Sequence, residues 1–152
     1  MLIDLETNQG EWFAFRMSKI DRATGETIWN DPVEGVRVRI RSFKPFFEEL
    51  VMKQEQIVEW KVNPKTRQNE RHVYSKDLTP EEKMRERDDA IDFAITGLEG
   101  WVDKKTHKPI ECTRENKLAL MDKGFFDRFF ADCIEDIDAN AIELDEELEK
   151  NS

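Results

Sequence analysis

Three carboxylates, Asp88, Asp89 and Asp92, stand close together in a helix-forming stretch, and two more, Glu111 and Glu115, flank Cys112. Hard oxygen donors gathered in this way suit a divalent cation. On an amphipathic helix, however, such residues usually form the solvated face, and that is the reading preferred here. The imidazoles are His72 and His107, and the thiols are Cys112 and Cys133. No CxxC or HExxH spacing joins them, so a zinc site would need widely scattered ligands. In a reducing compartment the two cysteines are expected as buried or inert thiols. The chain also lacks a GxSxG elbow, a Walker loop and a dinucleotide glycine pattern. With 6 glycines in all, there are few ways to build a preorganised catalytic site. The expectation is a protein with no enzymatic activity and no cofactor.

Two groups of cations are the other candidates. Arg37, Arg39 and Arg41 alternate along one stretch, and Lys65, Arg67 and Arg71 cluster in another. Either could meet phosphate or an acidic protein, but a solvated face paired with acids is the preferred reading. The formal net charge of -10 opposes general binding to nucleic acid or to an anionic membrane. No apolar run approaches the ~20 residues of a membrane helix. The opening MLIDLETNQG is acidic and polar where a signal peptide would be basic and then apolar. A cytoplasmic protein is expected.

The elements that must position these residues follow from periodicity. An aromatic-rich strand begins at Glu11, Asp21–Gly25 supplies a turn, and a short strand follows through Trp29. After the break at Asn30, Asp31 and Pro32, Val36, Val38 and Ile40 alternate with the three arginines. Residues 11–42 thus predict a small antiparallel sheet with one wet face. Phe46, Phe47, Leu50 and Val51 predict a helix from Pro45 to the mid-fifties, packed on the sheet's apolar face. Residues 59–77 suit a hairpin or a loop insertion.

Thr79-Pro80-Glu81-Glu82 opens a further helix with a cap, a first-turn proline and acids at the positive dipole end. Its stripe of Met84, Ile91, Ala94, Ile95 and Leu98 predicts a run to about Leu98. The loop after Gly100 is expected to be tightened by Asp103 and Thr106, with Val102 turned inward and Trp101 as a core anchor. Thr113 suits an N-cap. In the last helix Phe125, Phe126, Phe129 and Phe130 lead a stripe that continues through Cys133, Ile134 and Ile137. Phenylalanines at this spacing are core first. Any members left exposed would, with Trp101, form the surface for a partner. The fold class is therefore α+β, a small antiparallel N-terminal sheet followed by a bundle of three to four helices. Residues 1–137 would form a single domain, mainly helical over 45–137, and 138–152 an acidic, fraying tail.

The order of these features resembles the tail assembly chaperones of long-tailed phages and prophages. It comprises an aromatic strand, a Thr-Gly-Glu turn, an alternating Val-Arg strand, a Thr-Pro-Glu-Glu helix, Ile95-x-Gly97-x-x-Gly100-Trp101-x-Asp103, Pro109 before Cys112-Thr113-x-Glu115-Asn116-Lys117, and a Phe-rich last helix. The resemblance spans residues 11–137, is sharpest from Ile95 to Leu120, and departs in the basic insertion from Lys61 to Ser75. It implies a non-enzymatic protein of the bacterial host cytoplasm. Such a protein binds the long helical tape-measure protein, keeps it soluble and helps recruit tail-tube subunits. Self-association is compatible with that role. From the residues alone, an acidic inhibitor or DNA mimic is the alternative, and a small metal-dependent enzyme is third.

Overall fold

The computed structural model describes residues 9–54 and 56–150, with side chains as far as 141. In chain order the elements are β1 (Glu11–Ile20), β2 (Thr27–Ile40), α1 (Lys44–Lys53), β3 (Gln56–Val62), β4 (Asn69–Ser75), α2 (Pro80–Ala94), β5 (Ile95–Glu99), α3 (Arg114–Met121) and α4 (Gly124–Lys150). Mixed helix and strand is as the sequence predicts. The arrangement differs, because strands recur between the helices as far as Glu99 and form two small antiparallel sheets. The chain divides into two compact units, one built up to Phe43 and again from Asp88, the other spanning Lys44–Arg87.

In the first unit the sheet order is β1-β2-β5, with β2 central. Val38 and Ile40 are fully buried on one face, as their alternation with the arginines requires. α4 lays Phe126, Phe129, Phe130 and Cys133 against that face, together with Phe15 of β1 and Met121 of α3. The Phe15 ring meets Phe129 at 5.1 Å and Trp101 at 4.7 Å, both edge-on. Burial contributes about 1.5–3 kcal/mol for each such side chain, and edge-to-face geometry adds about 1 kcal/mol per pair. Among the described residues, every buried one belongs to this unit.

Two irregularities shape the sheet. Between the pairs Ala14↔Arg37 and Arg16↔Pro32, β1 advances through Phe15 alone while β2 passes through Val33, Glu34, Gly35 and Val36, so β2 bulges outward. Between Arg39↔Gly97 and Ile40↔Ile95, Thr96 is the extra residue in β5. That second bulge corrects the expected helix to Leu98, because α2 stops at Ala94 and Ile95–Glu99 is a strand. The open edge of β2 needs backbone partners, and Ile95 and Thr96 are β-branched. The bulge turns Ile95 into the core beside Ile40 and Gly97 to the other face, where an added Cβ would meet the Trp12 ring at 2.8 Å.

One turn occurs three times. In Asp21–Glu26, Asn63–Gln68 and Asp103–Lys108 the first residue donates its N–H to the carbonyl of the sixth, at 2.8, 2.9 and 3.0 Å, and accepts from the N–H of the fifth, at 2.7, 2.7 and 2.9 Å. The Asx side chain accepts the N–H of the third residue at 2.9, 2.9 and 2.7 Å. Thr24, Thr66 and Thr106 each accept from the sixth residue. The fifth residue is left-handed in every copy, with φ of 74° at Gly25, 59° at Arg67 and 56° at His107. Asp103 and Thr106 thus tighten their loop as expected. Val102 does not turn inward; it is exposed and bridges to Pro109 at the loop's mouth.

The second unit holds α1, the β3–β4 hairpin and the first turns of α2. Of the two forms expected for residues 59–77 a hairpin is present, running from Gln56 to Ser75 and in register from Gln56↔Ser75 to Val62↔Asn69. The expected burial of α1 is corrected, since none of its residues is buried. The apolar face of the first unit's sheet is covered by α4. Thr79 accepts the Glu82 N–H at 3.2 Å and Thr113 the Asn116 N–H at 3.3 Å, so both caps form. In the expected tail from residue 138 the backbone continues α4 as far as Lys150. Residues 151–152 of that tail lie outside the described residues.

Candidate functional site

The carboxylates of α2 face cations of α3. Arg114 Nη2 lies 2.7 Å from Asp89 Oδ1. Lys117 Nζ donates to the Asp92 carbonyl at 2.9 Å and to Asp92 Oδ1 at 3.0 Å. Lys117 is buried, and two acceptors offset the loss of water around its ammonium. Sequence reading missed this residue, although its position four before the buried Met121 marked it as inward-facing. Asp88 is partly exposed, and Glu111 and Glu115 are exposed, with Asn116 Nδ2 donating to the Glu111 carbonyl at 2.9 Å. Among the described residues, no group of three or more His, Cys, Asp or Glu could hold a metal ion.

The remaining polar candidates are structural or superficial in placement. His72 Nε2 lies 3.7 Å from Glu70 Oε2 on the hairpin, and His107 is the left-handed residue of its turn. Burial, reinforced by Asp132 and Asp136, pushes the Cys133 thiol up to about 12. The Cys112 thiol is also raised, chiefly by partial burial. Neither offers a ready thiolate.

Arg37 has its expected acid, with Nη2 2.7 Å from Glu99 Oε2. Arg39 Nε instead donates to Thr96 Oγ1 at 3.1 Å, and Arg41 Nε to the Phe93 carbonyl at 2.7 Å. The Arg41 guanidinium lies 3.7 Å from the Phe93 ring centroid. Trp12 carries Arg37 at 4.3 Å and Arg39 at 5.2 Å over its ring. Beside it Pro32 and Val36 of the β2 bulge line a shallow groove of about 360 Å³.

The aromatic candidates divide. Phe126, Phe129 and Phe130 are interior, so they hold the fold and offer no surface to a partner. The physical reason is that the sheet's apolar face has α4 as its cover. Trp101 and Phe125 are partly buried against the same core, and Trp101 Nε1 donates to the Arg37 carbonyl at 3.3 Å. The partner surface expected at these five residues therefore narrows to the exposed parts of Trp101 and Phe125.

The large exposed apolar side chains lie mainly elsewhere. On α1, Phe47, Val51 and Met52 are exposed, Met52 at 87%, and with Lys44 and Glu48 they line an open groove of about 570 Å³. On the hairpin, Val58, Trp60, Val62 and Val73 are exposed, Trp60 at 66%. The register Val58↔Val73 and Trp60↔Arg71 puts these side chains on one face. The other face is polar, with Tyr74 OH donating to Glu59 and Lys61 Nζ 3.5 Å from Glu59 Oε2. The sequence carried a signal for the α1 surface, because Leu50-Val51-Met52 is wider than one buried stripe needs.

Among the described residues, no helix is long and apolar enough to cross a membrane. No family model matches the chain, and neither a curated protein nor a solved structure matches it significantly.

Proposed function

We propose that this chain is a non-enzymatic tail assembly chaperone of a long-tailed phage or prophage, acting in the bacterial host cytoplasm. Its partner is the tape-measure protein, with the tail-tube protein as a second one. The motif order from Glu11 to Ile137 suggests the family. The observation that supports it physically is α1, a helix with no buried residue and an exposed Phe47, Val51 and Met52 surface. Such a surface suits the apolar stripe of a long partner helix, and a flexible methionine adapts to successive turns of differing shape. The chain's strong negative charge keeps a complex hydrated.

The test is co-expression with the tape-measure protein of the same phage. This chain should raise the soluble fraction of that protein and co-elute with it on a sizing column. Val51→Glu with Met52→Glu should abolish the gain while leaving the melting temperature unchanged, because neither side chain is buried. Equal solubility with and without the chain, and no co-elution, overturns the proposal. The acidic-inhibitor reading then takes its place. It draws support from Asp127, Asp132, Glu135, Asp136 and Asp138, exposed along one continuous helix, and is tested by competition with duplex DNA for a basic DNA-binding protein.

A further inference from the structure

A two-stranded hairpin is marginal in water unless a third layer covers it. The β3–β4 hairpin nevertheless keeps an apolar face of Val58, Trp60, Val62 and Val73 exposed. Around that face and at the tip are Arg71, Lys65 and Arg67, which form no ion pair among the described residues. What covers the face should therefore be anionic and should tolerate a bulky indole.

The chain carries such a surface itself. On α4, Asp132, Glu135 and Asp136 are exposed and likewise form no ion pair among the described residues. Ala131 and Ala139 are exposed beside them, and their small side chains leave room for Trp60. The lengths agree: Val58–Val62 spans about 13 Å as a strand, and Asp127–Asp138 about 16 Å as a helix. We infer that the β3–β4 hairpin of one copy docks on the acidic face of α4 in a second copy. Reciprocal exchange of the two contacts gives a two-fold symmetric dimer. This inference does not depend on the tape-measure reading, because it uses neither α1 nor a foreign partner.

The experiment is sedimentation velocity on the full chain alone, from micromolar to hundreds of micromolar. The wild-type chain should pass from monomer to dimer across that range. Trp60→Ser and Arg71→Glu should each weaken the dimer at least tenfold. All the altered side chains are exposed, so the far-UV circular dichroism should be unchanged. Asp132→Arg with Asp136→Arg should also be monomeric alone. Mixed with the Arg71→Glu chain, it should recover a dimer, because both contacts in the mixed pair then join opposite charges. A wild-type chain that stays monomeric overturns the inference, as does a dimer indifferent to Trp60→Ser and Arg71→Glu. Loss of the dimer without recovery in the mixture overturns α4 as the docking face.

Discussion

Gly35 and Gly100 meet backbone to backbone: a Cβ placed on Gly100 would lie 2.0 Å from the Gly35 carbonyl oxygen. Their φ angles are 78° and 80°, so the bulge of β2 and the turn after β5 close on each other through two left-handed residues. Gly25, with φ of 74°, has open space where its Cβ would be. Gly25→Ala should thus lose only the conformational term, about 1 kcal/mol. Gly100→Ala must also displace backbone and should lose about 3 kcal/mol. Denaturant unfolding of both variants measures the difference, and equal losses would refute the close approach.

The threefold turn makes an opposite prediction at Arg67 and His107. Both are left-handed without being glycine, which costs about 1–2 kcal/mol of local strain. Glycine removes that strain but frees the unfolded chain by about 0.4–1 kcal/mol. Arg67→Gly and His107→Gly should each give a net gain of about 0.5 kcal/mol. Thermal melts on the two variants check the sign.

Asp103 and Asn63 hold the same position in two copies of that turn, and only one of them titrates. The N–H groups of Lys105 and Thr106 donate to the Asp103 carboxylate and hold its pKa below the ordinary carboxylate value. The stability this adds is complete above about pH 4, the unfolded value, and is lost as pH falls through the lowered folded value. Asp103→Asn should keep the turn, as Asn63 does, and remove this part of the acid sensitivity. Melting temperature followed from neutral pH to pH 2 distinguishes the two chains.

Buried Cys133 and exposed Cys112 should respond unequally to a thiol reagent. At pH 8 the native chain should react at Cys112 alone, and more slowly than a free cysteine, because burial raises both thiols. Unfolding should release the second thiol. Mass spectrometry of alkylated native and denatured protein reads the stoichiometry, and rapid native labelling of Cys133 would contradict its burial.

What the sequence disclosed depended on how many conformations one pattern could satisfy. Val36 to Arg41 alternates too regularly for a helix, and the threonine caps at Thr79 and Thr113 come with the residues they bond. Both were legible. Ile95 and Leu98 are three apart, which suits a helix, and they reach the same face of a strand only because Thr96 is a bulge. Nothing local distinguishes those cases, since the deciding partner is β2, far away in the chain. Phe46, Phe47, Leu50 and Val51 were equally ambiguous, because an amphipathic stripe does not say whether its own fold or a partner will cover it. Of the proposed surfaces, the basic hairpin tip and the acids of α4 were visible as charges. Their apolar neighbour Trp60 needed the register with β4 to be placed.

The pairing of Ile40 with Ile95 also bears on how fast the chain folds. Its β1–β2 hairpin closes across a turn of a few residues, a microsecond event. β5 can join β2 only after about fifty residues, the whole Lys44–Arg87 unit among them, have been gathered into a loop, and that closure is purely entropic. Replacing the unit by a linker of about ten residues would leave a loop of about twenty and lower the closure term by about 0.9 kcal/mol. If closure limits the rate, the first unit should then fold roughly fourfold faster. Lys44–Arg87 would thus act as a kinetic brake on assembly of the central strand.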